Sequence, residues 1–545
     1  MQMITLKGKG VCNLAAVGRI TFFKKNEIDV ERETVSNTGA EICRFDDARK
    51  KAMEELTKLY RKTLQEIGEE QAQIFDIHKM MLEDLDFVDG VKDIIKNEKV
   101  NAEYAVEKKS EQFSEMLKGM DDEYMKERAQ DVLDVKNRLL RIFYNEDEET
   151  LPDEDGLIIC ADDLTPSQTV QLDKSRIKAF VTKKGSQNSH TAILARTMNI
   201  PAVIGVIELE NMYNGKIAAV DGESGTVYID PDENTLKEFE EKIKIETDSS
   251  ERLKKLIGSK SVTKDGKEIM LFANIGGLSD LERVIKNDAE GIGLFRSEFL
   301  YLESRDFPTE EVQFKTYKTV LEKLSGKKVV IRTMDIGADK QIEYFNLDKE
   351  ENPALGFRAI RICLSNRDIF KTQLRALLRA SVYGKLSIML PMIVSKDEII
   401  ESKRIIEEVK EELKKEGKSY SENVEIGIMI ETPAAAIISD ELASEVDFFS
   451  VGTNDLTQYT LAADRQNPKL EELFDSHHEA VLRLIETAAE NAHKHGKWIG
   501  ICGELGADLT LTERFLQMGI DELSVTPSTI LKLREKINNS YAFKK

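Results

Sequence analysis

Residues 450–465 read Ser-Val-Gly-Thr-Asn-Asp-Leu-Thr-Gln-Tyr-Thr-Leu-Ala-Ala-Asp-Arg. An apolar strand containing Phe448, Phe449 and Val451 ends at Gly452. A carboxylate, Asp455, follows at once, beside an amide, Asn454, and upstream of Arg465. The arrangement recurs along the chain. Strand Val424–Ile430 runs into Glu431, Val329–Ile331 into Arg332, Ile292–Phe295 into Arg296, and Ile499–Ile501 into Cys502. Reactive side chains at the carboxyl ends of successive strands, with helices between them, are the layout of a (β/α)8 barrel site. The residue types point to an anionic substrate held by arginines and a divalent metal. From Glu268 onward the strands expected are Ile269–Asn274, Gly291–Phe295, Lys328–Thr333, Leu386–Met392, Glu425–Ile430, Asp447–Val451, Lys497–Cys502 and Glu522–Val525. A doubly wound open sheet is the structural alternative.

Composition narrows the field. A chain of 545 residues accommodates two to four domains. Its net charge of -22 argues against nucleic acid or an acidic membrane as a general partner, though not against a basic protein. No apolar run reaches transmembrane length, and residues 1–11 lack an apolar signal core. Cys12, Cys43, Cys160, Cys363 and Cys502 lie far apart without Cys-x-x-Cys spacing. That pattern fits free thiols in a cytoplasmic protein.

Upstream of the barrel the texture changes twice. Residues 1–24 alternate weakly and read as one or two short strands. From about Ser36 to Phe143, Met53, Leu56, Leu59, Tyr60, Leu64 and Ile67 begin a series of helical stripes with no proline, which reads as an antiparallel helical bundle. Residues 151–231 return to α/β character, with strands at Gly156–Cys160 and Ala179–Thr182, a helix from Pro166 to Leu172, and a hairpin around the turn between Val220 and Thr226. The charged run from Glu233 to about Lys255 reads as a linker helix.

The segment Lys184-Gly-Ser-Gln-Asn-Ser-His190-Thr-Ala-Ile-Leu-Ala-Arg196 places an imidazole at a helix N-terminus, where free N–H groups favour an anion. A lone histidine there is otherwise a cap or a core residue. The segment resembles the phosphohistidine signature of the phosphoenolpyruvate-utilising enzymes. Further stretches strengthen the likeness: Gly291-Ile-Gly-Leu-Phe-Arg-Ser-Glu-Phe-Leu300, Arg332-Thr-Met-Asp-Ile-Gly-Ala-Asp-Lys340, Asn352-Pro-Ala-Leu-Gly-Phe-Arg358-Ala-Ile-Arg361, Gly427-Ile-Met-Ile-Glu431, Gly452–Arg465 and Gly500-Ile-Cys502-Gly-Glu504. Together they resemble enzyme I of the bacterial sugar phosphotransferase system over nearly the whole chain. Two departures stand out. Ser186, Gln187 and Asn188 replace the family's Gly, Arg and Thr, and Cys12-Asn-Leu-Ala stands where a Ser-Pro-Gly type turn is usual.

The resemblance implies a phosphoenolpyruvate–protein phosphotransferase. By it, His190 is the residue phosphorylated on Nε2. Thr169 matches a threonine near that histidine, and stands between orienting the ring and serving as an ordinary helix residue. Arg296, Arg332 and Arg465 match substrate ligands, and Asn454 with the adjacent backbone positions the substrate. Arg358 stands between a further contact and a structural ion pair. Glu431 and Asp455 are the implied Mg²⁺ ligands, and Cys502 the proton donor that turns the enolate into pyruvate. The implied domains are an α/β phosphohistidine domain (1–30 and 147–231), an inserted helical domain (31–146) docking the phosphocarrier protein HPr, a linker helix (232–260), and a barrel (261–545) that binds phosphoenolpyruvate and forms a homodimer. His477, His478, His493 and His495 read as solvated helix faces. A dikinase or synthase of the same family would need a nucleotide-binding domain, and no Walker-type loop is present. A binding protein that has lost turnover through the altered 185–188 loop is the rival from another class.

Overall fold

The computed structural model describes residues 3–23, 29–66, 69–119, 123–145, 154–164, 168, 172, 175–185, 190–198, 200–302, 304, 306–340, 342–465, 467–470 and 472–543. The chain divides into two compact units, Met1–Ser250 and Glu251–Lys545.

In the first unit, strands β1 (Ile4–Lys7), β2 (Lys9–Gly10) and β3 (Ala15–Phe22) join β4 (Leu157–Ala161), β5 (Ile177–Thr182), β6 (Ala202–Ile204), β7 (Ile217–Asp221) and β8 (Thr226–Ile229) in one sheet, ordered β1-β8-β7-β3-β4-β5-β6-β2. The run β3-β4-β5-β6 is parallel and the flanking pairs are antiparallel. Its Cβ-free positions are structural: a side chain on Gly10 would lie 2.0 Å from the carbonyl oxygen of Gly222. Three-residue β6 was not legible in the sequence. Between β3 and β4 lie the helices α1 (Thr38–Glu66), α2 (Glu69–Glu83), α3 (Leu85–Glu98), α4 (Ala102–Lys118) and α5 (Glu123–Tyr144). Their apolar stripes meet in a core that includes Phe45, Leu56, Phe75, Val91, Ile95 and Leu139, as the periodicity requires. Helix α6 (His190–Met198) follows β5, and α7 (Glu233–Lys254) follows β8.

The second unit is a closed barrel of eight parallel strands: β9 (Met270–Ile275), β10 (Gly291–Arg296), β11 (Lys328–Arg332), β12 (Lys385–Leu390), β13 (Glu425–Ile430), β14 (Phe448–Val451), β15 (Trp498–Ile501) and β16 (Glu522–Val525). β16 pairs with β9, which closes the ring and excludes the open sheet. Alternation along each strand sorts the side chains. Val329, Ile331, Ile428, Ile430, Phe449, Val451, Ile499 and Ile501 face outward to the surrounding helices. Leu294, Val330, Met389, Met429, Phe448, Trp498 and Cys502 form a separate cluster in the lumen. Phe448 and Trp498 stack with centroids 4.4 Å apart at the amino-terminal end of the lumen. Lys328 Nζ lies 4.6 Å from the Trp498 ring centre and 2.7 Å from Glu425 Oε2.

Candidate active site

The inward-facing register carries each strand's last side chain to one rim. Arg332 ends β11, Arg296 ends β10, Glu431 follows β13 and Cys502 follows β15. Helix Thr453–Leu461 starts directly after β14 and places Asn454 and Asp455 in its first turn, where the dipole favours a carboxylate. Gly503 is obligatory at this rim, since a Cβ there would stand 2.0 Å from Thr453 Oγ1.

The charged side chains interlock. Arg332 places Nη2 3.0 Å from Glu298 Oε1 and Nη1 3.1 Å from Asp335 Oδ2. Arg358 Nη2 lies 2.8 Å from Asp335 Oδ1 and 3.8 Å from Asp455 Oδ2. Arg465 Nη1 stands 3.5 Å from Asp455 Oδ1. Arg358 thus pairs with Asp335. Asn454 donates through Nδ2 to Glu504 Oε1 at 3.1 Å. Arg296 is exposed at the end of its strand.

The two expected metal ligands are held differently. Glu431 is 1% exposed, and its Oε1 accepts from the Met392 N–H at 2.5 Å. Met392 adopts φ 58°, a conformation that costs a non-glycine residue about 1–3 kcal/mol, and so aims that N–H at the carboxylate. Burial, with Asp335 and Asp455 close by, pushes Glu431 up to about 8. Asp455 Oδ1 is buried, makes no hydrogen bond and has only the longer ion-pair contact to Arg465. Two crowded carboxylates, one with an unsatisfied oxygen, are a donor set that a hard divalent cation fits. Cys502 is 3% exposed, its Sγ lies 3.6 Å from the Val451 carbonyl oxygen, and burial pushes the thiol up to about 12.

Sequence reasoning missed Asp335 and Glu298. Asp335 is the hub of both buried arginines, and Glu298 Oε1 also accepts from the Asp335 N–H at 2.8 Å. The available signal was an aspartate between two buried apolar residues, Met334 and Ile336, in a stretch already singled out.

In the first unit, His190 is the first residue of α6. Residues 186–189 and Thr169 lie outside the described residues. Thr191 Oγ1 lies 3.3 Å from Asp163 Oδ1, which ties the helix start to the loop after β4. Three histidines of the second unit have single partners, His477 Nε2 with Asp508 at 2.7 Å, His493 Nε2 with Asp521 at 2.8 Å and His478 Nδ1, which accepts from the Ala480 N–H, while His495 is exposed. No cluster of three metal-ligating side chains occurs among the described residues. No helix among them is long and apolar enough to cross a membrane.

Comparison with known proteins matches residues 250–541 to the PEP-binding domain of PEP-utilising enzymes, 7–128 to their N-terminal domain and 153–225 to their mobile domain. The chain is 45% identical over 535 residues to a phosphoenolpyruvate-protein phosphotransferase of Priestia megaterium, covering 98% of this chain and 93% of that one. It is 44% identical over 538 residues to the protein of that name from Bacillus subtilis strain 168, covering 98% and 94%. A third, from Enterococcus faecalis, is 46% identical over 537 residues, covering 97% and 93%. The chain belongs to the PEP-utilising enzyme family.

Proposed function

We propose that this chain is a phosphoenolpyruvate–protein phosphotransferase that passes the phosphoryl group of phosphoenolpyruvate to His190 and then to a histidine of the phosphocarrier protein HPr. The observation that carries the reading is the rim of the barrel. Arg332, Arg358 and Arg465 interlock there with Asp335 and Asp455, next to Glu431 and a buried thiol.

Arg296, Arg332 and Arg465 bind the phosphate and carboxylate of the substrate, because a guanidinium fork matches an oxyanion and stays charged. Asn454 orients it. Arg358 holds Asp335 and Asp455 in place. Glu431 and Asp455 are the residues that would hold Mg²⁺, whose positive charge stabilises the transferring group. His190, at the start of α6, is presented to the phosphorus and attacks through Nε2. The helix N-terminus then stabilises the phosphorylated ring. Cys502, kept protonated by burial, gives its proton to the enolate carbon to yield pyruvate. The helical region 31–146 is the docking module for HPr, beside the phosphohistidine domain of 1–30 and 147–231. The linker is 232–260, and the barrel, 261–545, forms the homodimer. The five separate free thiols fit a cytoplasmic site of action.

The test is incubation with phosphoenolpyruvate labelled on phosphorus. Acid-labile, base-stable label should appear on the wild type, vanish in His190→Ala, and leave phosphoenolpyruvate binding to that variant intact. Label on His190→Ala at the wild-type level refutes the reading. ATP should not phosphorylate the protein, which separates it from a dikinase.

A further inference from the structure

The lumen of the barrel holds a carboxyl group that the reaction above does not use. Glu522 opens β16, points inward and is 1% exposed. It stands in register with Gly500 of β15, which in turn pairs with Ser450 of β14. Glycine at two surrounding positions makes room for it. A Cβ on Gly500 would lie 1.8 Å from Glu522 Oε2, and one on Gly293 would lie 2.3 Å from Oε1 and 2.5 Å from Ser524 Oγ. Around this gap, Glu522 Oε1, Ser524 Oγ and Ser450 Oγ are all buried with no partner at full hydrogen-bond geometry, and Ser524 is a polar neighbour of the Glu522 carboxyl as Ser450 is of the Cys502 thiol. Poorly satisfied buried polar atoms are costly, and a group of them in one enclosed space calls for an explanation.

Two further observations orient the group. Gly500 and Cys502 lie two residues apart on the same face of β15, about 7 Å along the strand. Ser450 and Glu522 are among the polar groups acting on the Cys502 thiol. Below, Lys328 is the charged neighbour of Glu522, and it reaches partly exposed Glu425 at the amino-terminal end of the barrel. Asn274 closes the upper side, donating through Nδ2 to the carbonyl oxygens of Cys502 and Ser524 at 2.8 and 3.0 Å.

We infer that Glu522 is a relay group that returns a proton to Cys502 through the barrel interior, by way of the Ser450 or Ser524 hydroxyl. The inference rests on Cys502 being the proton donor. In the step, the thiol S–H bond breaks and its proton forms the third C–H bond of the pyruvate methyl group, leaving a thiolate. The neutral Glu522 carboxyl then gives up its proton, which a serine hydroxyl passes on to sulfur, and becomes a carboxylate beside the Lys328 ammonium. Water at the amino-terminal end of the barrel replaces that proton. Burial pushes the Glu522 carboxyl well above its ordinary range, against the pull of Lys328 and Ser524. The route matters because the rim side of Cys502 faces product, so a supply from below recharges the thiol before pyruvate leaves. Glu522 acts through Cys502 and does not touch substrate.

The experiment compares the first turnover with later ones. Full-length protein is mixed with phosphoenolpyruvate, Mg²⁺ and excess HPr in a rapid-quench device, and pyruvate per active site is followed. In Glu522→Gln the first pyruvate should form at the wild-type rate, because Cys502 starts protonated, and later turnovers should slow by about tenfold or more, within the range of general-acid effects. Glu522→Asp, which keeps the acid, should recover part of the later rate and serves as the second variant where Gln impairs folding. Ser450→Ala with Ser524→Ala should reproduce the split. Equal slowing of first and later turnovers, or none, overturns the relay. An undiminished first turnover in Cys502→Ala overturns the donor assignment and the relay with it. A slowed first turnover there, without the split in Glu522→Gln, overturns the relay alone.

Discussion

Asp335→Asn removes a negative charge from the point where two buried arginines meet. Asp335 is 5% exposed, with Arg358 at 2.8 Å and Arg332 at 3.1 Å. At an effective dielectric near 20, each contact has a gross attraction of roughly 5–6 kcal/mol. The net loss is smaller, because Arg332 keeps Glu298 at 3.0 Å and Arg358 has Asp455 at 3.8 Å. Removing one partner from a buried pair costs about 3–5 kcal/mol, and asparagine preserves the volume, so about 3 kcal/mol is expected. For a unit of this size about 2 °C per kcal/mol applies, giving a fall of about 6 °C in Tm. The chain contains one tryptophan, and Trp498 sits in the barrel lumen, so its fluorescence follows the unfolding of this unit alone. A second effect should accompany the first. Arg358, released from Asp335, closes on Asp455 and competes for the carboxylate that would hold Mg²⁺, so the half-saturating Mg²⁺ concentration should rise several-fold. An unchanged melting curve together with an unchanged Mg²⁺ requirement would refute the hub.

Glu431→Ala should slow phosphoryl transfer severely, and wild-type turnover of that variant at low Mg²⁺ would remove Glu431 from the metal site. Gly500→Ala drives a methyl into the Glu522 carboxylate and should destabilise the barrel by about 1–3 kcal/mol, read from the urea midpoint of Trp498 fluorescence. For Asp521, burial pushes its pKa up, but the His493 hydrogen bond, Lys267 and the Ile499 N–H outweigh it and hold the carboxyl below its usual range. A depressed folded value means that the stabilisation is complete above the unfolded pKa, near 3.9, and is lost as pH falls through the folded value. The stability that Asp521 adds over Asp521→Asn should thus be lost as pH falls below about 4. A fragment from about residue 260 onward should dimerise by sedimentation, and one ending near residue 250 should stay monomeric while exchanging phosphoryl groups with phosphorylated HPr. The reverse distribution would refute that division.

The barrel was readable because each strand is short, apolar and followed at once by a charged or polar residue. Glu425–Ile430 and Glu522–Val525 have the expected bounds, and the other strands shift by one or two residues. At β12, set two residues too long, Met392 lies beyond the strand, turned out by its positive φ. Of the rim residues named from the sequence, Arg332 ends a parallel strand, Glu431 follows one, Asp455 sits in the first turn of the helix after β14, and Arg465 reaches back from the loop beyond that helix. Asp335 and Glu298 were not legible in this way. Both act through bends after the strand, where no periodicity applies, and Glu298 meets Arg332 across 34 residues and Asp335 meets Arg358 across 23. Glu522 escaped for another reason. A glutamate opening a strand normally reads as a solvated end, and only the missing side chains of Gly293 and Gly500 reveal that it faces inward.

The charges at the rim also bear on what the site needs. Arg332, Arg358 and Arg465 face Glu298, Asp335, Glu431 and Asp455. The arginines are therefore already neutralised by protein carboxylates, and they cannot alone offset the added charge of a substrate with both a phosphate and a carboxylate. Releasing them would leave the acids uncompensated in a dry site, which is costly. A divalent cation would meet both demands: Glu431 and Asp455 are the residues that would hold it, and its charge would leave Arg332 and Arg465 available to the phosphate. Arg358, whose contact with Asp335 is the shorter of its two, would stay there and leave Asp455 available to the cation.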